Sequence, residues 1–358
     1  MGQGDESAAA RVLDEIAARI REASAAGTAL RLLGGGTKSF LVGESQGAAL
    51  SLAGYRGVIA YQPSELVLEV RAGTPLVEVE QLLASHGQQL AFEPPRFGPA
   101  STIGGAISAG LSGPARPYAG AVRDHVLGVS LLDASGTVLR FGGRVMKNVA
   151  GYDVSRLVVG AWGTLGPLAE IAVRVAPRPE QVLSLAWAAD AASALSRMNE
   201  LARQAWPLAG ACFDGERLRL RLAGTRAAVT AATDALRPES IDEDLQYWDA
   251  LRDFRLPFFA ADRPLWRLAV PPAVGHLALP GDSLIDWGGA QRWLKTEAAA
   301  ADIQAAARRA GGYAQPFFAA DAAEHAPLSA AQKALQARIR SVFGSVGLFN
   351  PGCARVGF

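Results

Sequence analysis

The sequence predicts an α+β protein in two lobes, and three observations carry that reading. Strand-like runs dominate up to residue 177, with helical patterns interspersed among them. Pro177-Arg178-Pro179 then interrupts the chain as a linker. Beyond it, strand and helix patterns alternate as in a small ferredoxin-like sheet-plus-helix unit. The predicted divisions are 1–177 and 178–330, with a final helix and tail over 331–358 that return to the first lobe. At ~150 residues per domain, 358 residues suffice for about two cores.

Each element has a local reason. Over 8–26, Leu13, Ile16 and Ile20 share one helical face, and Gly27 suits the helix end. Residues 29–33 read as a strand running into Gly34-Gly35-Gly36-Thr37. Strands follow at 57–61 and 66–71. Thr74 is placed as a helix cap with Pro75 at the first position, and Gly87 as the stop. Residues 126–132 and 137–141 form a hairpin around Asp133–Gly136, 153–159 a short helix and 168–175 a strand. In the second lobe, strands are expected at 183–188, 208–213, 217–222, 265–270 and 283–294, the last turning at Gly288-Gly289. Helices are expected at 191–204, 225–236, 297–310 and 328–343.

Composition excludes several functions. Half the residues are hydrophobic and 19% are charged, which is globular rather than disordered. With 35 basic and 34 acidic residues the net charge is +1, which argues against nucleic acid or an anionic membrane as main partner. Cys212 and Cys353 are too few for a disulfide framework or an iron–sulfur cluster. Four histidines make a His-rich metal site untenable, so no metal is expected. Asp5 and Glu6 stand where a secretory signal would be basic, and Glu6 replaces the hydroxyl residue of a myristoylation signal. The uncharged run Phe97–Ala115 has the length of a membrane span. Its five glycines, two prolines and four hydroxyl residues instead read as an ordered loop in a soluble protein.

Three segments carry chemistry. Leu33-Gly34-Gly35-Gly36-Thr37-Lys38 follows an apolar strand; successive N–H groups in such a turn form an anion nest, and Lys38 adds charge. It is not a P-loop, because Thr37 precedes the lysine, nor a Rossmann fingerprint, because Ser39 stands at the third glycine position. A tight surface turn is the plain alternative. The second segment, Pro94–Ser108, includes Ser101-Thr102-Ile103-Gly104-Gly105 and would admit a large flat ligand beside small side chains. The third comprises Gly151-Tyr152-Asp153 and Gly160-Ala161-Trp162-Gly163-Thr164-Leu165-Gly166.

In this order the segments resemble the flavin-binding domain of the vanillyl-alcohol oxidase / p-cresol methylhydroxylase superfamily, over roughly residues 5–177. Phe349-Asn350-Pro351-Gly352 is similar to that family's closing segment. Within the superfamily, Ser112–Pro117, Arg123-Asp124 and Met146–Asp153 resemble the FAD-binding E subunits of bacterial glycolate oxidases. The resemblance implies an FAD-binding domain with an α+β cap, and FAD held by Leu33, Gly34, Gly35, Gly36, Thr37, Lys38, Ser101, Thr102, Ile103, Gly104, Gly105, Ser108, Gly166 and Leu168. The triple glycine would hold the pyrophosphate, and Gly166 and Leu168 would lie near the adenosine half. Many relatives attach flavin through a histidine of the first glycine loop; none occurs here, so the implied FAD is noncovalent. The resemblance further implies oxidation of glycolate to glyoxylate by a complex with a second FAD-binding subunit and an iron–sulfur subunit. The expected location is cytoplasmic, with peripheral attachment to the inner membrane through the complex.

What the cap lacks matters too. Relatives acting on D-2-hydroxy acids carry two spaced histidine motifs there. His276–Asp282 has the wrong spacing, and Glu324-His325-Ala326 is a faint echo, so no catalytic residue is assigned. His86 suits a helix end and His125 a loop hydrogen bond. Tyr247, Trp248, Trp266, Trp287 and Trp293 read as core or interface rather than a substrate cage. Arg116 and Lys147 are the cations placed nearest the flavin ring, with surface roles equally open. An independent 2-hydroxy-acid dehydrogenase and a non-catalytic assembly flavoprotein stand as rival readings.

Overall fold

The N-terminal amphipathic run folds as α1 (Gln3–Ala26), with Ile16 and Ile20 buried. The computed structural model describes residues 3–43, 46–143, 153–242, 244–260, 262–317 and 328–353. Gly27, at φ +63°, lets Thr28 N–H turn back to the Ala23 carbonyl and end the helix. β1 (Leu30–Leu33) pairs in parallel with β2 (Ala48–Ser51), a strand absent from the sequence reading. Ala-Ala-Leu-Ser buries one side chain, Leu50, and carries no β-branched residue, so its pattern is weak. β3 (Val58–Gln62) and β4 (Val67–Arg71) form an antiparallel pair leading to α2 (Leu76–Ser85). Thr74 does not cap α2. Its hydroxyl donates to the Arg71 carbonyl and accepts from Gly57 N–H, while Pro75 occupies the cap position.

After the two-residue β5 (Gln88–Gln89), part of the expected loop is a helix, α3 (Ile103–Ala109). Thr102 caps it, and Ile103, Ala106 and Ile107 bury one face despite two glycines. Short α4 (Arg116–Ala119) and α5 (Val122–His125) lead to the hairpin of β6 (Val126–Leu132) and β7 (Val138–Gly142). Asp133 Oδ1 closes that hairpin by accepting from the N–H groups of Ser135 and Thr137. α6 (Val154–Leu157) is capped by Asp153, and β8 (Leu168–Arg174) and β9 (Ala176–Pro177) follow. The first sheet, β3-β4-β8-β6-β7, packs Leu68, Val70, Ile171 and Val173 against α2 and α3.

The second sheet is antiparallel throughout, in the order β13-β10-β12-β11-β15-β16-β14-β17. In chain order its elements are β10 (Gln181–Ala188), α7 (Ala191–Leu201), β11 (Leu208–Phe213), β12 (Arg217–Gly224), α8 (Arg226–Leu236), β13 (Ser240–Asp242), α9 (Gln246–Arg252), β14 (Leu265–Ala269), β15 (Asp282–Asp286), β16 (Gln291–Lys295), α10 (Ala300–Arg309) and β17 (Tyr313–Pro316). α7 and α8 bury Leu195, Met198 and Val229 against Leu185 and Leu220, while α10 buries Ile303 and Ala307 against Trp266 and Leu268. The edge strands β13 and β17 were not foreseen in sequence, being short and polar or Pro-containing. α11 (Ala330–Val342) precedes the final described stretch. That stretch runs beside β1, with Leu30 N–H donating to the Leu348 carbonyl and Asn350 N–H to the Leu30 carbonyl.

Candidate cofactor cleft

The turn after β1 faces a cleft of about 920 Å³ of empty space, its open mouth included. Leu33, Gly34, Gly35, Gly36, Thr37, Lys38, Thr102, Gly104, Gly105, Ser108 and Leu168 all line it. Ser101, Ile103 and Gly166 do not. Ser101 is buried against Lys38, Ile103 is core, and a Cβ on Gly166 would collide with the Leu132 carbonyl. The two glycine segments are packed on each other. A side chain at Gly35 would overlap the Ala100 carbonyl, and one at Gly34 would lie 2.5 Å from Thr102 Oγ1. Gly104 holds α3 against the end of β4, where an added Cβ would sit 2.7 Å from the Ala72 carbonyl.

Backbone donors divide sharply between the two segments. Ile103 N–H donates to Thr74 O, Gly104 N–H to Ala72 O and Gly105 N–H to Thr102 Oγ1, so this segment spends its donors within the protein. The five N–H groups from Gly34 to Lys38 donate to no acceptor among the described residues. A run of donors without partners among the described residues is the arrangement that an anionic ligand completes. Lys38 reinforces it. Its Nζ donates to Ser101 Oγ at 2.8 Å and lies 5.6 Å from the Phe97 ring centroid. Burial pushes this amine down to about 8, with the Asp253 carboxylate acting weakly the other way.

Trp162, Gly163 and Asn350 also line the cleft and were not assigned from sequence. Trp162 adopts φ +51°, a conformation bulky residues rarely take. It is held there by its N–H donating to the Ser108 carbonyl and its carbonyl accepting from Asn350 Nδ2 at 2.7 Å. Asn350 Oδ1 accepts from Leu32 N–H at 2.7 Å, so one amide joins β1, the Trp162 turn and the closing segment. A tryptophan inside a glycine run was the available signal for the first of these. Asn350 stands in the closing Phe349–Gly352 segment, but its role in the cleft is not legible there, since its partner Leu32 is 318 residues away.

The remaining candidates lie elsewhere. Arg116 sits over the Trp287 ring at 4.4 Å and does not line the cleft; Lys147 is outside the described residues. His125 is buried, with Nε2 against the Ala119 carbonyl, and burial lowers its pKa. His86 joins Ser85 and the Leu82 carbonyl at the end of α2. His276 borders a separate hollow beside α7, and His325 lies outside the described residues. Among the described residues no group of three or more His, Cys, Asp or Glu could hold a metal. Trp248, Trp266, Trp287 and Trp293 are all core residues.

Residues 8–142 match the family described as FAD binding domain. Over 94% of this chain and 75% of the other, the fold superposes on a solved alkyldihydroxyacetonephosphate synthase with a TM-score of 0.67, at 16% identity. Fold and cleft together define a flavoprotein whose cofactor is FAD. Over 334 residues the chain is 43% identical to glycolate oxidase subunit GlcE of Escherichia coli (strain K12), spanning 93% of this chain and 95% of that one. It belongs to the GlcE family of glycolate oxidase subunits. Shorter matches link it to glycolate oxidase subunit GlcD of Bacillus subtilis (strain 168), at 35% identity over 34% of this chain and 26% of that one. D-lactate dehydrogenase of Anaerostipes hadrus matches at 27% over 39% and 29% respectively. The chain is thus a member of an FAD-dependent oxidoreductase family.

Proposed function

We propose that this chain is the FAD-holding subunit of a complex that oxidises glycolate to glyoxylate. The carrying observation is the run of five N–H groups, Gly34 to Lys38, without a partner among the described residues and lining a cleft within an FAD-binding domain. When bound, FAD supplies the hydride acceptor for a 2-hydroxy acid. The chain's own part is to hold it. The Gly34–Lys38 amides bind the pyrophosphate, Lys38 Nζ adds the balancing positive charge, and Ser108, Leu168 and Trp162 shape the walls. The FAD is noncovalent, because the first glycine loop offers Thr37 and Lys38 rather than histidine. Residues 1–177 act as the FAD-binding domain, 178–330 as the cap, and 331–358 return to the FAD-binding domain.

The partners in this reading are a GlcD-like second flavoprotein and an iron–sulfur subunit that takes the electrons onward, since this chain's two cysteines cannot ligate a cluster. Among the described residues no helix is long and apolar enough to cross a membrane, which suits a cytoplasmic complex or one attached peripherally. The test is direct. Acid precipitation of the purified chain should release all yellow colour to the supernatant, at about one FAD per chain. Colour in the pellet refutes noncovalent binding, and a colourless chain refutes the cofactor role.

A further inference from the structure

The second sheet turns one face to the first lobe, and part of that face is polar. Cross-strand pairing sets Arg267 of β14 beside Trp293 and Gln315, and Ala269 beside Gln291 and Tyr313, so these side chains point the same way. Trp293 fixes the direction, since it shares a core cluster with Phe97 and Trp162 of the first lobe. Just past β15, Trp287 donates from Nε1 to the Gly113 carbonyl. Two guanidiniums converge on its ring, one from each lobe. Arg116 Cζ lies 4.4 Å from the ring centroid and Arg267 Cζ 5.1 Å. Neither cation has a carboxylate partner among the described residues. Arg267 donates from Nε to Gln291 Oε1 and from its terminal nitrogens to nothing, and the Arg116 guanidinium donates to no acceptor there. The acids that act on them are committed elsewhere: Asp286 Oδ1 accepts from Trp287 N–H, and Asp124 Oδ2 from Ala121 N–H. Burial lowers the pKa of both guanidiniums, with Arg123 adding to the effect at Arg116 and Arg116 at Arg267. The shared ring attracts both cations and neutralises neither. A desolvated guanidinium is ordinarily paired, and two together without a carboxylate leave a charge that an anion offsets.

We propose that Arg116 and Arg267 hold a small carboxylate beside Trp287, at a site between the lobes and apart from the cofactor cleft, which neither residue lines. The site rests on the two cations. That its occupant is a 2-hydroxy or 2-oxo acid rests on the functional reading above, in which such acids are what the complex consumes and releases. The planar guanidinium fork matches the two oxygens of a carboxylate. Tyr313, half exposed on β17, lies close enough to act on both cations, and its hydroxyl is a donor for the oxygen at the acid's second carbon. The acid is bound there and not oxidised.

Titration calorimetry of the full FAD-loaded chain at fixed ionic strength, with glycolate, glyoxylate, acetate and inorganic phosphate, reads the site. Glycolate or glyoxylate should bind at about one per chain and raise Tm. Arg116→Gln and Arg267→Gln should each weaken that binding about tenfold or more, the scale of a hydrogen bond to a charged group. Both should lose the Tm rise while FAD content and the Tm without acid stay at the parent's values. Arg267→Lys keeps the charge without the fork and should fall between parent and Arg267→Gln. Tyr313→Phe, at an exposed position, should erase the preference for glycolate over acetate. Arg226→Gln, on exposed α8, should change nothing. The two arginines belong to different lobes, so either variant carries the test if the other fails to fold. A parent that binds neither acid refutes the site, as does binding undiminished in the glutamine variants. Phosphate bound as tightly as glycolate refutes a carboxylate site and leaves an adventitious ion only. A parent purified without FAD refutes the functional reading, and titration of that same protein still decides for or against the two cations.

Discussion

Lys38 has two opposed relations to pH, and their signs separate its roles. In the free protein, burial lowers its pKa from the ordinary 10.5 to about 8. Between about 8 and 10.5 the unfolded chain therefore binds more protons than the folded one, and this group's contribution to stability rises with pH there. With Lys38 balancing the pyrophosphate charge as proposed, FAD affinity should fall as pH rises through 8. Lys38→Met should weaken FAD about 10- to 100-fold at pH 7, the scale of one hydrogen bond to a charged group, and should flatten the pH profile. Fluorescence titration of apoprotein from pH 6.5 to 9.5 reads both effects; an unchanged profile in the variant would remove Lys38 from the site. The glycines fail for a different reason. Gly35 has no left-handed φ, and its constraint is the Ala100 carbonyl pressed against its Cα. Gly35→Ala should therefore cost FAD and stability together, by about 1–3 kcal/mol or more for an overpacked contact. A Gly35→Ala protein with parental Tm and full 450 nm absorbance would contradict this packing account.

Among elements, the closing segment does most to position the cleft. Asn350 joins β1 to the Trp162 turn through two side-chain hydrogen bonds, and its own backbone pairs with Leu30. Removing the amide leaves the Leu32 N–H and the Trp162 carbonyl without partners. Asn350→Ala should cost about 1–3 kcal/mol and release the strained Trp162 turn, lowering FAD occupancy while leaving the second sheet intact. Differential scanning calorimetry with FAD content checks it; Asn350→Asp keeps the acceptor for Leu32 N–H but sets a buried carboxylate oxygen against the Trp162 carbonyl, and should lose at least as much. The amphipathic helices α1 and α8, and β4 and β6 as short runs buried almost throughout, were legible in sequence because propensity and burial agree there. α3 was not, since glycines at 104 and 105 argue against a helix that tertiary packing on Ala72 imposes. The Gly34–Lys38 turn was legible by residue type. The sorting of its free donors from the engaged donors of 103–105 depends on long-range partners no single segment reveals.

On the scale of the whole molecule, the two sheets meet through side chains rather than through an open gap. Arg221 of β12 pairs with Glu93 at 2.8 Å, and Trp287 donates from Nε1 to the Gly113 carbonyl. Around them Phe97 stacks on Phe254 at 5.1 Å, Phe254 stacks on Phe317 at 4.8 Å, and Trp293 meets Phe317 edge-on at 4.7 Å. This aromatic cluster also holds Trp162, which lines the cleft, so the second lobe contributes a packed wall at that end. Oxidation of an alcohol carbon requires a group to accept the hydroxyl proton as hydride departs. Among the described residues none of the three histidines lines the cleft: His276 borders a hollow sharing no residue with it, His125 is committed to the Ala119 carbonyl and His86 to the end of α2. The isolated chain should therefore bind FAD yet remain oxidised when mixed anaerobically with glycolate, with turnover appearing only on coexpression with the partner subunits. His276→Ala should leave the activity of the assembled complex within about twofold of the parent, the ordinary effect of a surface change. Stopped-flow bleaching of the isolated chain by glycolate, or loss of most complex activity in His276→Ala, would place substrate chemistry in this subunit instead.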